Sequence, residues 1–140
     1  MNSSILIIED DKYQAEELER CLKPLGVFVH HVSTELQFRK HLEETGQLTY
    51  GLAIVDMMLR WTDPAPDMED PPPEIIREGF YTAGLRCCRE LAKRKVRCLI
   101  FTALDPAKIP LRPGESFEII NKSTGYAAMA DRVKQLLSYR

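Results

Sequence analysis

Short apolar runs alternate along this chain with longer stretches in which hydrophobic residues recur every three or four positions. The apolar runs predict strands at residues 5–8, 27–32, 52–56, 98–102 and 117–120. The longer stretches predict helices, because that spacing puts the apolar side chains on one helix face. Strands that are apolar on both faces are typical of a parallel sheet covered by helices on each side. The pattern therefore predicts an α/β fold with a doubly wound, five-stranded parallel sheet in a three-layer sandwich.

Local signals mark where the helices begin and end. The first helix is expected to end at Gly26, because glycine adopts the left-handed conformation of a helix cap without strain. The second is expected to begin with a capping box formed by Thr34 and Gln37 and to end at Gly46. The remaining helical stretches are residues 80–91 and 129–137.

Two stretches rich in proline interrupt the alternation. Residues 60–78 contain five prolines and more acidic than basic residues, which predicts a long loop after the third strand with no regular element. Residues 103–116 contain three prolines where the fourth helix is expected, so that helix should be shortened or irregular. Neither stretch resembles a linker between domains, and residues 1–140 are interpreted as a single domain with an insertion at about 60–78.

Composition and charge narrow the possible partners. A chain of 140 residues is long enough to bury a hydrophobic core. Its net charge of −2 gives no electrostatic reason to expect binding to nucleic acid or to an anionic membrane. The first residues have no basic segment and reach two carboxylates after four apolar residues, which predicts neither a signal peptide nor a membrane span. Four cysteines without C-x-x-C spacing are interpreted as reduced core residues, and the expected location is the cytoplasm.

Polar side chains follow the predicted strands at the point where each ends. The carboxyl ends of parallel strands form the ligand-binding edge of a doubly wound sheet, so these side chains should converge. Asp10 and Asp56 offer the carboxylates that Mg²⁺ prefers, and Asp56 is the expected nucleophile toward a phosphoryl donor. Thr102 would bind a phosphoryl oxygen by a hydrogen bond, and Lys122 would bind one by charge. The residues of the predicted site are Glu9, Asp10, Asp56, Thr102 and Lys122.

Four segments, ILIIEDD, LAIVDMML, FTAL and INKS, resemble the receiver domain of bacterial two-component response regulators, the CheY-like family, in the family's order. The resemblance covers essentially the whole chain outside the two proline-rich stretches. It implies a (βα)₅ flavodoxin-like fold, phosphorylated on Asp56 by a sensor histidine kinase or a phosphotransfer protein, that then changes its affinity for a downstream effector protein. It further implies Thr102 as the switch hydroxyl and Lys122 as the phosphate-binding lysine. The implied Mg²⁺ ligands are Glu9, Asp10, Asp56 and the backbone carbonyl of Met58.

The sequence also departs from the family pattern near this site. Arg60 stands where the family has proline, Ile119 stands at the position of the switch aromatic, and Ser123 replaces the proline after the lysine. The expected Gly-Leu pair appears only at Gly84, beyond the long loop, and the acidity of that loop offers a partner something to recognise. Apolar Met58 and Leu104, where the family tunes hydrolysis, predict slow autodephosphorylation.

Three functions are therefore compared. The first is a signalling receiver that catalyses only its own phosphoryl transfer and slow dephosphorylation, and is not otherwise an enzyme. The second is a pseudo-receiver, a constitutive protein-interaction module that is not phosphorylated. The third is a Mg²⁺-dependent phosphatase of the haloacid-dehalogenase type, disfavoured because Met58 stands where that family needs a second aspartate. Output would come from binding another protein, unless the chain is part of a longer one.

Overall fold

A parallel five-stranded sheet forms the centre of the computed structural model, which describes residues 4–64 and 67–138. The strands are β1 Ser4–Ile8, β2 Phe28–Val32, β3 Leu52–Val55, β4 Cys98–Thr102 and β5 Glu118–Asn121. The strand order is β2-β1-β3-β4-β5, and each neighbouring pair is parallel. The chain therefore passes from β1 outward to β2 and then returns across β1 to β3. The loops after β1 and β3 diverge at this reversal and leave a crevice at the carboxyl edge of the sheet.

Helices cover both faces of the sheet, as predicted. The α-helices are α1 Lys12–Leu22, α2 Glu35–Thr45, α3 Pro73–Glu78, α4 Ala83–Lys93 and α5 Tyr126–Ser138. On one face, α2 and α4 pack against side chains such as Ile8, Val55 and Ile100. On the other face, α1 and α5 pack against side chains such as Ile7 and Ile54. The alternation of these buried side chains along each strand produces the three-layer sandwich and confirms the predicted fold class.

The predicted helix caps are present. Gly26 ends the short 3₁₀ turn after α1 with φ of 69°, a left-handed conformation. The hydroxyl of Thr34 accepts a hydrogen bond from the backbone N–H of Gln37 at 3.1 Å, and Gly46 follows the last residue of α2. The Gln37 side chain reaches back to the backbone N–H of Ser33 at 2.8 Å. Both ends of α2 are thus determined by local sequence.

The prediction that residues 60–78 contain no regular element is wrong for the last third of that stretch. Pro73–Glu78 forms the helix α3, and Pro73 occupies its first position. The first N–H groups of a helix have no partner within it, so a proline there removes no hydrogen bond, and its fixed φ suits the helix. Ile75 is buried, which anchors this helix to the body of the protein.

The second proline-rich stretch behaves as predicted. A 3₁₀ turn at Pro106–Lys108 stands in the place of a fourth helix in the β–α alternation. Asp105 caps it by accepting a hydrogen bond from the N–H of Ala107 at 3.0 Å. The connection from β4 to β5 is therefore mostly irregular.

Within the described ranges, none of the helices has both the length and the apolar character needed to cross a lipid bilayer.

Candidate functional site

Three of the predicted side chains meet at the carboxyl edge of the sheet. Glu9 follows β1, Asp56 follows β3, and Lys122 follows β5. The Lys122 ammonium donates to Glu9 Oε1 at 2.7 Å and to Asp56 Oδ2 at 2.9 Å. It also donates to the side-chain oxygen of Gln14 in the first turn of α1. One ammonium thus lies between two carboxylates that are 47 positions apart in the sequence.

Hydrogen bonds fix both the backbone and the side chain of Asp56. Its N–H donates to the Ile8 carbonyl at 3.0 Å, which extends the β1–β3 ladder by one residue. Its side-chain Oδ1 accepts from the N–H of Met57 at 2.7 Å. Oδ2 remains directed at Lys122. The carboxylate therefore has a fixed orientation before any ligand arrives.

Gly84 lets α4 begin directly against this strand end. Its N–H donates to the Met57 carbonyl at 2.9 Å, and a Cβ at this position would lie 1.9 Å from the Asp56 carbonyl oxygen. A real Cβ cannot approach so closely, so a larger residue would displace the Asp56 peptide or the helix. The sequence indicates Gly84 as part of a helical stretch and of the family pattern, whereas its close approach to Asp56 is visible only in three dimensions.

Burial and neighbouring charges shift the pKa values of Glu9 and Lys122. Burial raises the pKa of Glu9 to about 7, and the nearby charge of Asp56 adds to this, while Lys122 partly opposes it. Burial alone lowers the pKa of Lys122, but its hydrogen bond with Glu9 and the charges of Asp56 and Glu9 outweigh that effect and raise it. Two carboxylates therefore share one cation, and further positive charge would be favourable there.

Asp10 is turned toward the insertion. Its Oδ2 accepts from the backbone N–H of Arg60 at 3.1 Å and lies 3.6 Å from Arg60 Nε. The Arg60 guanidinium also donates to the Asp10 carbonyl at 3.1 Å. Arg60 stands where the receiver domains that the sequence resembles have proline, a residue that has neither a backbone N–H nor a charge. The departure noted in the sequence is thus a direct contact with a predicted metal ligand.

The donor chemistry of this edge fits Mg²⁺, which prefers carboxylate and carbonyl oxygens. Glu9, Asp10 and Asp56 supply such oxygens, and no group of the described residues donates a hydrogen bond to the Met58 carbonyl. In the described part of the chain, no three His, Cys, Asp or Glu side chains are already grouped as metal ligands. Lys122 and Arg60 already neutralise part of the negative charge of these carboxylates. The residues would therefore hold Mg²⁺ after a small rearrangement of these contacts.

Thr102 lies beside the site at the end of β4. Its side chain is buried, and its hydroxyl oxygen accepts from the N–H of Leu104 at 3.2 Å. Ile119 pairs with Ile100 in the sheet, one strand further out. The Lys122 ammonium lies 6.0 Å from the centre of the Phe101 ring. Thr102 is thus at the predicted edge without a direct bond to the Lys122 group.

Sequence reasoning missed several residues that touch the site. Gln14 accepts from Lys122, and Nε2 of His31 lies 2.7 Å from the Glu9 carbonyl oxygen. Neither residue has a local signal, because their positions depend on how α1 and β2 pack beside β1.

No model of a protein family matches the sequence, and neither does any curated protein.

Solved structures with the same fold cover almost the whole chain. A response regulator receiver domain protein (CheY-like) from Methanospirillum hungatei JF-1 is 19% identical, with a TM-score of 0.67 over 99% of this chain and 96% of that chain. The response regulator protein TrrA from Thermotoga maritima, in complex with Mg²⁺-BeF, is 20% identical, with a TM-score of 0.66 over 97% and 99%. The signal receiver domain of a signal transduction histidine kinase from Syntrophus aciditrophicus is 24% identical, with a TM-score of 0.62 over 97% and 90%. The chain therefore has the fold of CheY-like response regulator receiver domains.

Proposed function

We propose that this chain is a phosphorylation-dependent signalling receiver that accepts a phosphoryl group on Asp56. The observation that carries the proposal is the Lys122 ammonium, which joins Glu9 and Asp56 at the carboxyl edge of a receiver fold. A buried nucleophilic carboxylate, a second carboxylate and a fixed cation are the groups that phosphoryl transfer to aspartate requires. That the solved structure of similar fold from Thermotoga maritima contains Mg²⁺-BeF supports the same chemistry.

In this proposal the donor is a phosphohistidine on a sensor histidine kinase or a phosphotransfer protein. An Asp56 carboxylate oxygen forms a bond to phosphorus while the phosphorus–nitrogen bond to the donor imidazole breaks, and the nitrogen retains that electron pair. Mg²⁺, when bound, offsets the repulsion between the anionic nucleophile and the anionic phosphoryl group. Lys122 moves its hydrogen bond from Asp56 to a phosphoryl oxygen, and the Thr102 hydroxyl donates to another.

Signalling then follows from a shift between two conformations. A phosphoryl group can shift that equilibrium only by making different contacts in the two states. Thr102 and Lys122 are the groups that would gain such contacts, because both lie beside Asp56 at the ends of neighbouring strands. The changed state binds a downstream effector protein in the cytoplasm. Met58 and Leu104 offer no polar group to activate water, so the phosphoryl group should persist for minutes or longer.

The test is intact mass spectrometry after incubation with Mg²⁺ and acetyl phosphate. Wild type should gain one phosphoryl group, and Asp56→Asn should gain none. Asp131→Asn, which removes an exposed carboxylate on α5, is the matched control and should react like wild type. Reaction of both Asp56→Asn and wild type would refute the assignment of Asp56, and loss of the group within seconds would refute slow hydrolysis.

A constitutive interaction module is the second candidate, and the contact between Arg60 and Asp10 favours it. That contact gives Asp10 a cationic partner in the absence of metal. A folded protein that neither binds Mg²⁺ in a titration nor gains mass would establish this alternative.

A further inference from the structure

The insertion after β3 folds back over α2 and leaves an open cleft. This cleft, of about 460 Å³, lies between α3 and the segment that leaves β3. Apolar side chains make up most of its wall: Leu59, Trp61, Met68, Ile75, Ile76 and Phe80. It does not include any of the residues proposed to carry phosphoryl transfer.

A buried ion pair fixes the floor of the cleft. Arg86 on α4 donates to both oxygens of Glu35, at 2.7 and 2.8 Å, and to the Gly79 carbonyl at 3.1 Å. The first N–H groups of α2, on Glu35 and Leu36, donate to the carbonyls of Arg60 and Trp61. The insertion thus caps the start of α2, and the cleft has a defined wall.

Large apolar side chains remain exposed around the opening. Ile76 is 68% exposed, Met68 is 53% exposed and Phe80 is 51% exposed. The Phe80 ring stacks on Tyr81 with 4.3 Å between ring centres, so the apolar surface continues past the cleft. A contiguous exposed apolar patch beside a cleft marks an interaction site.

The insertion that forms much of the cleft wall is acidic. Residues 60–78 contain six carboxylates and two arginines, a net charge of −4. Three of these carboxylates have a cationic partner: Asp63 with Arg60, Glu69 with Lys40 and Glu78 with Arg86. The other three are exposed, form no ion pair with any described residue, and each adjoins in sequence a residue that lines the cleft: Asp67, Asp70 and Glu74. The occupant should therefore be apolar where it enters the cleft and cationic where it lies against the insertion.

We propose that this cleft binds a basic amphipathic helix of a partner protein. A helix with apolar residues three and four positions apart would place them against Ile76 and Phe80, and its lysine or arginine residues would face the three unpaired carboxylates. An anionic membrane surface fits poorly, because the insertion has a net negative charge. The proposal does not depend on phosphorylation of Asp56.

The test uses labelled synthetic peptides and the full chain. The probes are a leucine–lysine peptide patterned as an amphipathic helix, a leucine–glutamate peptide of the same pattern, and a scrambled leucine–lysine peptide. Binding is followed by fluorescence anisotropy and by the emission of Trp61, the single tryptophan, which lines the cleft. The patterned basic peptide should bind at least about tenfold more tightly than the other two.

Variants locate the binding. Ile76→Ser, on an exposed position, should weaken the patterned basic peptide at least about tenfold, and Glu74→Lys should weaken it while increasing affinity for the acidic peptide. Phe28→Ser is the matched control, because Phe28 is 75% exposed on β2, outside the residues that line the cleft. Equal losses in Ile76→Ser and Phe28→Ser, or equal binding of the basic and acidic peptides, would overturn the proposal.

Two further experiments test for other occupants of the cleft, a second copy of the chain and a lipid surface. Self-association in sedimentation that Ile76→Ser abolishes would show that the cleft binds a second copy of the chain. Binding to vesicles rich in phosphatidylserine that Ile76→Ser abolishes would show a lipid surface. Either result would overturn the proposal that the cleft binds a partner helix. Neither result bears on phosphorylation of Asp56, which the mass measurement tests separately.

Discussion

Replacing Arg86 with methionine should destabilise the protein strongly. Arg86→Met keeps the apolar part of the side chain but leaves Glu35, whose side chain is 2% exposed, as a buried carboxylate without its main partner. Removing one member of a buried ion pair costs about 3–5 kcal/mol. Since domains of this size are stable by roughly 5–15 kcal/mol, a large part of the folding free energy should disappear.

The assay is urea unfolding followed by two signals. Far-ultraviolet circular dichroism reports the helices, and Trp61 fluorescence reports the insertion, because the indole N–H donates to the Glu69 carbonyl within it. In Arg86→Met the fluorescence transition should shift to lower urea than the circular dichroism transition, since Arg86 also holds Gly79 at the end of the insertion. Arg94→Met, at the C-cap of the same helix, removes an exposed pair with Glu90 and should cost about 1 kcal/mol or less.

A double variant tests the cause. Adding Glu35→Gln to Arg86→Met removes the buried charge that the single change leaves behind, so a good part of the lost stability should return. The reasoning is refuted if Arg86→Met costs no more than Arg94→Met, or if the double variant is less stable than the single one.

Three further predictions concern other contacts. Gly84→Ala should lower stability by about 1–3 kcal/mol in thermal unfolding and slow phosphorylation, because its Cβ would meet the Asp56 carbonyl oxygen; a variant with wild-type stability and rate would contradict this. Arg60→Ala should tighten Mg²⁺ binding by roughly two- to fivefold in a calorimetric titration, since it removes an exposed cation beside the carboxylates proposed to bind Mg²⁺, and weaker binding would count against it. Arg89 holds the pKa of Glu115 at about 2, below its ordinary value of 4.5, so Glu115 stabilises the fold above pH 4.5 and loses this effect as the pH falls toward 2. Glu115→Gln should therefore be less stable than wild type in urea at pH 7, with a difference that shrinks in acid.

The sheet and its polar edge could be predicted because both depend on short, local segments of the sequence. A parallel strand buried on two faces must be apolar at almost every position, as in Leu52–Val55, and its ligand-binding end shows as a sudden carboxylate, as in Asp56. Thr34 and Gly46 mark the ends of α2 for the same local reason. The family resemblance added roles to these residues, and the solved structures confirm the fold that it implied.

The position of the insertion could be predicted, but its structure could not, because that structure depends on distant partners. The prolines of residues 60–78 predict no helix there, although Pro73 occupies the one helical position where proline is well suited. Glu35 lies in the first turn of α2, where acidic residues are common, yet its partner Arg86 lies 51 positions later. Likewise, the contact between Arg60 and Asp10 spans 50 positions. No periodicity in the sequence encodes such pairs.

Arg60 connects two places that would otherwise be independent. Its N–H and guanidinium hold Asp10, while its carbonyl accepts from the first N–H of α2, beside the cleft. A displacement of Arg60 would therefore alter its contacts with Asp10 and its contact with the start of α2 together. Thermodynamic linkage then requires reciprocity: if a ligand in the cleft alters the affinity of the carboxylate edge for a cation, the cation alters the affinity of the cleft by the same factor. Arg60, at the position where the receiver domains that the sequence resembles have proline, is thus the contact through which such a linkage would pass.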